Sequence, residues 1–223
     1  MRLPLILLIV RVGSRPDDLS YERTACKRAK ALGLTTRVFE LDEKVSQEKL
    51  LLQIRRINAD SSIHGCLVFR PLPPEMEDKL VCDELAMAKD IDGVSTASLG
   101  AVFTDAKEGF APSTAEACVR ALDFYDIPVE GKHVVVVGRS LVVGKPVAML
   151  LLRRNASVTI CHSRTEDLPK IMRTADIVIC ATGRARAFDA SCFREGQTVL
   201  DVGINFDKDG NLLVPFRTWR NNI

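Results

Sequence analysis

A glycine-bounded turn between two apolar runs is the part of this sequence whose residue types most clearly indicate a chemical function. It lies within residues 133–146, and a second apolar run follows at residues 158–161. A strand, a tight turn and a helix that leads to another strand form a βαβ unit. Such a unit binds a dinucleotide by aiming backbone N–H groups and a helix N-terminus at the pyrophosphate. We therefore predict that the turn contacts a dinucleotide through Gly138, Arg139, Ser140 and Gly144.

The residues that follow the second apolar run indicate which dinucleotide is bound. Units that bind NAD usually carry Asp or Glu at this place to hold the ribose 2′-hydroxyl. This sequence has His162, Ser163 and Arg164 instead, which supply a hydroxyl and a guanidinium but no carboxylate. Because these groups suit a 2′-phosphate, NADP is the predicted cofactor, and Ser163 and Arg164 are predicted to bind it.

The turn departs from both common phosphate-binding patterns. Ser140 stands where G-x-G-x-x-G has its middle glycine, and the closing glycine comes one residue late. A P-loop is excluded because the spacing from Gly138 to Lys145 is one residue too long, and because Pro146 replaces the Ser or Thr that would hold Mg²⁺. On pattern alone, a turn that merely joins a strand to a helix stays open as an alternative.

The elements that would position this turn alternate between strand and helix along the chain. Strands are predicted at residues 3–10, 35–40, 64–70, 133–137, 157–161, 176–181 and 197–202. Helices are predicted at residues 17–33, 46–58, 75–87, 114–126, 144–154 and 166–174, with a short one near 189–194. Residues 89–113 show no clear periodicity and are predicted to form a loop.

This alternation predicts an α/β fold in two domains. We expect an N-terminal open α/β catalytic domain at residues 1–112 and a Rossmann-like NADP-binding domain at residues 113–214, with a cleft between them. Residues 215–223 are expected to form an atypical tail. The apolar run at residues 3–10 is followed at once by Arg11 and by no small-residue cleavage site, so it predicts a central parallel strand rather than a signal peptide.

Composition restricts the partners and the compartment. Of 223 residues, 47% are hydrophobic and 27% charged, and the net charge of +2 predicts neither nucleic-acid nor membrane binding. Seven cysteines lie scattered, mostly within apolar runs, and form no C-x-x-C pair, so no metal site is predicted. Buried free thiols of this kind fit a reducing, cytoplasmic compartment.

Several long motifs in unbroken order identify a family resemblance. They are Val-Val-Gly-Arg-Ser-x-x-Val-Gly-Lys-Pro, Cys-His-Ser-Arg-Thr, Lys-Asp-Ile-Asp-Gly and Leu-Asp-Val-Gly-Ile-Asn. From about residue 3 to about residue 214 the chain resembles the bifunctional methylenetetrahydrofolate dehydrogenase/methenyltetrahydrofolate cyclohydrolase family. The resemblance implies hydride transfer from 5,10-methylenetetrahydrofolate to NADP⁺, followed in most members by hydrolysis of the methenyl cation to 10-formyltetrahydrofolate. It also implies a homodimer that forms through the cofactor domain.

The resemblance implies roles for individual residues. Arg139 and Ser163 match the positions that the family uses for the 2′-phosphate, and Ile204 falls within a cofactor-contacting motif. Asp92 matches the carboxylate that hydrogen-bonds the pterin ring, although the pattern alone favours an aspartate in a turn before Gly93. Tyr21 matches the tyrosine that stacks on the folate.

Two departures bear on the hydrolytic activity. The family pattern Tyr-x-x-x-Lys has its water-activating lysine at the position of Ala25. The family's Val-Gln-Leu-Pro-Leu-Pro, whose glutamine tunes that lysine, reads here Val-Phe-Arg-Pro-Leu-Pro over residues 68–73, and we assign Arg70 as the replacement of the glutamine. Dehydrogenase activity is therefore expected to survive better than cyclohydrolase activity, because only hydrolysis needs a base.

Three roles for Arg70 stay open at this point. It could orient water or stabilise charge in place of the lysine, bind a carboxylate of the folate tail, or be an ordinary charge at a strand end. It cannot be the base, because a guanidinium keeps its proton. Lys27 is expected to lie off the helix face that Ala25 occupies.

Two further functional alternatives remain. The family normally has a helix and strand before the equivalent of Leu3, and a Pro-Gly-Gly-Val-Gly-Pro-Met-Thr loop with a return helix at its end, and neither is found in this sequence. The chain is thus alternatively a truncated, non-catalytic paralogue or a fragment that retains NADP binding or dimerisation. Another two-domain NADP oxidoreductase would share the architecture but not the motifs.

Overall fold

The computed structural model describes residues 5–184, 187–203, 205–206 and 212–213. The chain divides into two compact units, Met1–Ser113 and Thr114–Ile223. Ile204 and the tail at residues 215–223, both of which carry predictions, lie outside the described residues.

The first unit is built on a parallel sheet of three strands in the order β2-β1-β3. Its strands are β1 (Ile6–Val12), β2 (Thr35–Leu41) and β3 (Gly65–Val68). Its helices are α1 (Pro16–Ala31), α2 (Gln47–Ala59), α3 (Asp78–Glu84) and α4 (Thr96–Phe103). The continuous apolar run of β1 is explained by its central place, since five of its seven residues are buried.

Helices cover both faces of this sheet because successive strand side chains point to opposite sides. Leu8 and Val10 pack in one cluster with Leu50 and Ile54 of α2. Ile9 packs on the other side, and the residues of that second cluster are Leu7, Ile9, Ala25, Cys26, Leu67, Phe69 and Ile91. Helix α1 therefore lies on the Ile9 face, where it contributes Ala25 and Cys26.

The second unit is also built on a parallel sheet, which has four strands in the order β5-β4-β6-β7. The strands are β4 (His133–Val137), β5 (Ser157–Cys161), β6 (Ile177–Cys180) and β7 (Thr198–Asp201). The helices are α5 (Ser113–Phe124), α6 (Gly144–Leu152) and α7 (Leu168–Thr174), with a 3₁₀ turn at Ala190–Cys192. Strands β8 (Asn205–Phe206) and β9 (Leu212–Leu213) form a short antiparallel pair.

The valines of β4 show why this strand forms where the sequence predicts it. Val134 and Val136 are buried in one apolar cluster, and Val135 and Val137 are buried in another. A β-branched run buried on both faces is typical of a central parallel strand. The predicted α/β fold class with parallel sheets is confirmed.

One predicted element is wrong. Residues 89–113 were expected to be a loop, but they contain α4. The Ser95 side chain caps this helix by accepting a hydrogen bond from the Ser98 N–H, and Val102 faces the interior. A helix of eight residues spans little more than two turns, which is too short for an apolar repeat to become visible in sequence. Among the described helices, none combines the length and the apolar character needed to cross a bilayer.

Candidate functional site

The turn after β4 is shaped by two glycines in close contact with backbone. Gly138 has φ +139°, and a Cβ atom there would lie 2.4 Å from the Ala181 carbonyl oxygen. A Cβ atom on Gly144 would lie 2.2 Å from the Gly138 carbonyl oxygen. No side chain could move aside to relieve either clash, because both neighbours are backbone. The chain thus turns back on itself tightly before α6 begins.

Ser140 fixes the inside of this turn. Its hydroxyl oxygen accepts hydrogen bonds from the backbone N–H groups of Val143 at 3.1 Å and of Gly144 at 3.4 Å. The serine that breaks the G-x-G-x-x-G pattern therefore supplies the contacts that hold the longer turn. Arg139 is exposed beside it. That Arg139 and Ser140 contact the cofactor stays a prediction.

The loop after β5 lies at the same edge of the sheet. Val137 and Cys161 are register partners in the parallel pair β4–β5, and the Gly138 N–H donates to the Cys161 carbonyl at 2.8 Å. The loop is held by the His162 N–H, which donates to the Thr165 hydroxyl at 2.8 Å. The Arg164 N–H donates to Nδ1 of His162 at 3.2 Å.

Ser163 and Arg164 are exposed at the tip of this loop. The structure thus brings together the two loops that carry most of the predicted cofactor residues, whereas Ile204 lies outside the described part of the chain.

The geometry of this edge fits a dinucleotide. Two glycines without side chains let the backbone turn tightly into the N-terminus of α6, where the helix dipole favours a pyrophosphate. The neighbouring loop offers a hydroxyl and a guanidinium and no carboxylate at its exposed tip. These are groups that a 2′-phosphate requires.

In the first unit, Arg70 and Asp92 form a partly buried ion pair. The Arg70 Nη2 atom lies 3.8 Å from the Asp92 Oδ2 atom, and the two side chains are 27% and 33% exposed. Burial raises the pKa of Asp92, while a hydrogen bond from Ser113 and the charge of Arg70 lower it and the charge of Asp90 raises it further. The pair joins two residues that the sequence analysis placed in separate roles.

Asp90 organises the loop that carries Asp92. It is 1% exposed, and its carboxylate accepts hydrogen bonds from the Ser95 N–H at 2.8 Å and the Ser98 hydroxyl at 2.7 Å. The ammonium of Lys89 donates to the carbonyls of Ile57 and Asp60, both at 2.6 Å. In this Lys-Asp-Ile-Asp-Gly motif, the first aspartate and the lysine thus hold the backbone and leave the second aspartate partly exposed.

Tyr21 lies on α1 against the end of β3. Its ring centroid is 5.2 Å from that of Phe69, and the tyrosine is 57% exposed whereas the phenylalanine is 5% exposed. Phe69 is a buried member of the apolar cluster against which Ala25 and Cys26 pack. The exposed face of Tyr21 is available for stacking, which is the role that the resemblance assigns to it.

The structure draws attention to Phe69 and thereby corrects the assignment of Arg70. Counted residue by residue, the glutamine of Val-Gln-Leu-Pro-Leu-Pro stands opposite Phe69, and Arg70 stands opposite the leucine that follows. The expected lysine–glutamine pair is therefore replaced by Ala25 and Phe69, two apolar residues of one cluster. Lys27 is exposed on α1 outside this cluster, in agreement with its expected position off the Ala25 face.

Arg11 is a further residue that sequence reasoning missed. It lies on β1 with its side chain 4% exposed, and its guanidinium pairs with Glu22 at 2.8 Å and with Glu40 at 3.1 Å. It also donates to the Gly13 carbonyl. Because Glu22 follows Tyr21 directly, this triad ties the helix that carries the tyrosine to two strands of the sheet. A charge at the end of an otherwise apolar run was the available signal.

Comparison with known proteins decides the family. Residues 2–92 match the domain described as the tetrahydrofolate dehydrogenase/cyclohydrolase catalytic domain, and residues 112–215 match the NAD(P)-binding domain of the same enzymes. The chain belongs to the tetrahydrofolate dehydrogenase/cyclohydrolase family. This excludes an unrelated oxidoreductase of similar architecture and does not favour the non-catalytic alternative.

Individual members of the family are similar over most of the chain. The bifunctional protein FolD of Clostridioides difficile is 47% identical over 206 residues, which are 92% of this chain and 72% of that protein. A FolD crystal structure from Campylobacter jejuni has a TM-score of 0.90 at 34% identity and covers 93% of this chain and 73% of its own. The Trypanosoma brucei enzyme, complexed with NADP cofactor and inhibitor, has a TM-score of 0.84 at 32% identity and covers 95% and 74%.

Proposed function

We propose that this protein is an NADP-dependent 5,10-methylenetetrahydrofolate dehydrogenase of one-carbon metabolism whose methenyltetrahydrofolate cyclohydrolase activity is weak. The observation that carries the second half of the proposal is the contact between Ala25 and the cluster of Phe69, at the positions where the family resemblance places a lysine and a glutamine. The two reactions make different demands on the protein, and this replacement affects them unequally.

The dehydrogenase step needs placement rather than a base. The lone pair of the adjacent nitrogen drives departure of a hydride from the one-carbon bridge, and NADP⁺ supplies the hydride acceptor. The protein must hold the pterin and align the bridge, which contributes through orientation. In our proposal the Asp92 carboxylate accepts hydrogen bonds from the pterin edge and the exposed ring of Tyr21 stacks on the folate. Both residues are present and partly or largely exposed.

The hydrolytic step needs proton removal. Water adds to the carbon of the methenyl cation, and a proton must leave that water as the new C–O bond forms. The bond from this carbon to N5 then breaks and N5 takes up a proton, which gives 10-formyltetrahydrofolate. A positioned base contributes about 10²–10⁴-fold to such a step. The methyl group of Ala25 and the ring of Phe69 can neither accept a proton nor hydrogen-bond a water molecule, and the guanidinium of Arg70 keeps its own proton. Hydrolysis is thus left without the usual base.

The preference for NADP over NAD⁺ can be tested at the two exposed loops. We expect the double substitution Arg139→Ala/Ser163→Ala to weaken NADP⁺ binding about 10–100-fold, because charge-assisted hydrogen bonds to the 2′-phosphate are lost. NAD⁺ lacks this phosphate, so its KM should change less than about threefold in the same variant. The measurement is the KM for each cofactor in the formation of NADPH or NADH from 5,10-methylenetetrahydrofolate.

A matched control for this experiment is Lys170→Ala, which removes an exposed positive charge from α7. It should leave both KM values unchanged. An equal loss of NADP⁺ and NAD⁺ binding in the double variant would contradict the assignment of these residues to the 2′-phosphate.

We also propose that the protein is a cytoplasmic homodimer that pairs through its cofactor domain. Support for pairing comes from β5, an edge strand of the four-stranded sheet that exposes Ile160, since an apolar strand edge favours association. Support for the compartment comes from the seven cysteines, all of which are free thiols and six of which are buried. Sedimentation velocity should report twice the mass of one chain.

A further inference from the structure

Arg70 is a charged residue at a place where the family motif has an apolar one. It stands opposite the first leucine of Val-Gln-Leu-Pro-Leu-Pro, directly after the buried Phe69. Its side chain is only 27% exposed, so the charge is held near the protein rather than in bulk water. The acidic partner at ion-pair distance among the described residues is Asp92.

The geometry of the pair leaves the carboxylate available. The distance of 3.8 Å between Nη2 and Oδ2 exceeds the usual 2.7–2.9 Å of a charge-assisted hydrogen bond. Arg70 therefore exerts its charge on Asp92 without occupying the carboxylate oxygens. Those oxygens can still accept hydrogen bonds from a ligand.

Recognition of a pterin makes a specific demand on this carboxylate. The 2-amino-4-oxo edge of a pterin presents a ring N–H beside an exocyclic amino group, and an ionised carboxylate can accept from both at once. Burial opposes ionisation of Asp92, and so does the neighbouring charge of Asp90. The groups that favour ionisation are the Ser113 hydroxyl and the Arg70 guanidinium.

Asp90 cannot relieve this repulsion by turning away. Its carboxylate is held by the N–H groups of Val94 and Ser95 and by the Ser98 hydroxyl. The balance at Asp92 therefore depends on Arg70, which is the cation that faces it.

We infer that Arg70 is a positioning residue for folate recognition, which keeps the Asp92 carboxylate charged for the 2-amino-4-oxo edge of the pterin. This inference rests on the proposed function, since it takes Asp92 as the pterin contact. It differs from all three roles considered for Arg70, because neither orientation of water, capture of the folate tail nor an ordinary strand-end charge acts through Asp92.

The sign of the pH dependence follows from this role. Binding requires ionised Asp92, so affinity is present above the pKa of Asp92 and is lost as the pH falls through it. The charge of Arg70 lowers the pKa of Asp92. Removal of Arg70 should move the loss of affinity to higher pH.

The test measures the Kd of two probes, folic acid and pteroic acid, which share the pterin but differ in the glutamate tail. Arg70→Leu restores the residue of the family motif. We expect it to weaken both probes about tenfold near pH 5.5 and less than about threefold near pH 7.5, because the carboxylate is ionised without help at the higher pH. Arg70→Lys keeps the charge and should bind both probes within about threefold of the unaltered protein at either pH.

Two outcomes would overturn the role of Arg70. Equal losses at both pH values would indicate an effect that does not act through ionisation of Asp92. A loss confined to folic acid would assign Arg70 to the glutamate tail. Far-UV circular dichroism of each variant shows whether the fold is retained.

Asp92→Asn separates this inference from the proposed function. If Asp92→Asn no longer binds either probe and Arg70→Leu binds both with the Kd of the unaltered protein, only the role of Arg70 is wrong. If Asp92→Asn binds both probes as well as the unaltered protein, the folate-binding role of Asp92 fails and the role of Arg70 fails with it.

Discussion

The double substitution Ala25→Lys/Phe69→Gln is expected to raise the rate of methenyltetrahydrofolate hydrolysis at least about 100-fold, because a positioned base contributes about 10²–10⁴-fold. It replaces two apolar residues of one cluster with the lysine and glutamine of the family motifs. Dehydrogenase turnover should change less than about threefold, since hydride departure uses no base. The measurement is the loss of methenyltetrahydrofolate absorbance with time, beside NADPH formation in the same preparation.

The matched control is Ala25→Met/Phe69→Gln, which places a side chain of similar length but without an amine at position 25 and leaves Arg70 in place. It should gain far less, because a methionine cannot accept a proton from the water. Each single variant should also gain less than the pair, since residues that act as a unit are not additive. Thermal unfolding of each variant checks that a lysine and a glutamine are tolerated in the apolar cluster. Equal rates of methenyltetrahydrofolate hydrolysis by the unaltered protein and by Ala25→Lys/Phe69→Gln would refute the claim that Ala25 and Phe69 weaken the cyclohydrolase activity.

Arg11→Met is expected to lower the free energy of unfolding of the first unit by about 3 kcal/mol, because removing one partner of a buried ion pair leaves the other uncompensated. The Arg11 side chain is 4% exposed and that of Glu22 is 19% exposed, so Glu22 would lose its cation in a poorly solvated place. Glu40 is 59% exposed and can be hydrated, which limits the loss. Urea unfolding with amide hydrogen exchange at β1 and β2 measures the change.

Lys79→Met provides the comparison for this prediction, because Lys79 lies in the same unit. Lys79 pairs with Asp83 one helical turn away, and its side chain is 76% exposed. Exposed pairs of this kind contribute about 0–1 kcal/mol. If Arg11→Met were no less stable than Lys79→Met, the triad would not hold α1 to the sheet. Because Glu22 follows Tyr21, Arg11→Met should also raise the KM for 5,10-methylenetetrahydrofolate more than the KM for NADP⁺.

The parts of the fold that could be predicted from sequence are those in which local pattern and burial agree. Strand β4 has the predicted bounds because a β-branched run buried on both faces leaves little choice of structure. The N-cap of α2 was likewise predictable, since Ser46 precedes an apolar repeat and accepts a hydrogen bond from the Lys49 N–H. Helix α4 was missed because its short span shows no period.

The candidate site was less predictable because its contacts join distant parts of the chain. Arg70 and Asp92 are both visible in sequence, but only the fold brings their side chains within ion-pair distance. Phe69 was overlooked because a buried phenylalanine at a strand end has an ordinary structural explanation. The structure shows it beside Tyr21 and in the same apolar cluster as Ala25. Phe69 and Ala25 thus occupy, side by side, the positions of the glutamine and the lysine in the family motifs.

The most direct test follows both reactions together in the unaltered protein. With 5,10-methylenetetrahydrofolate and NADP⁺ in a mildly acidic buffer, where uncatalysed hydrolysis is slow, NADPH and methenyltetrahydrofolate are recorded by absorbance and 10-formyltetrahydrofolate by chromatography. We predict that methenyltetrahydrofolate accumulates mole for mole with NADPH, while 10-formyltetrahydrofolate forms no faster than in buffer to which methenyltetrahydrofolate alone is added. Formation of 10-formyltetrahydrofolate that keeps pace with NADPH would contradict the account.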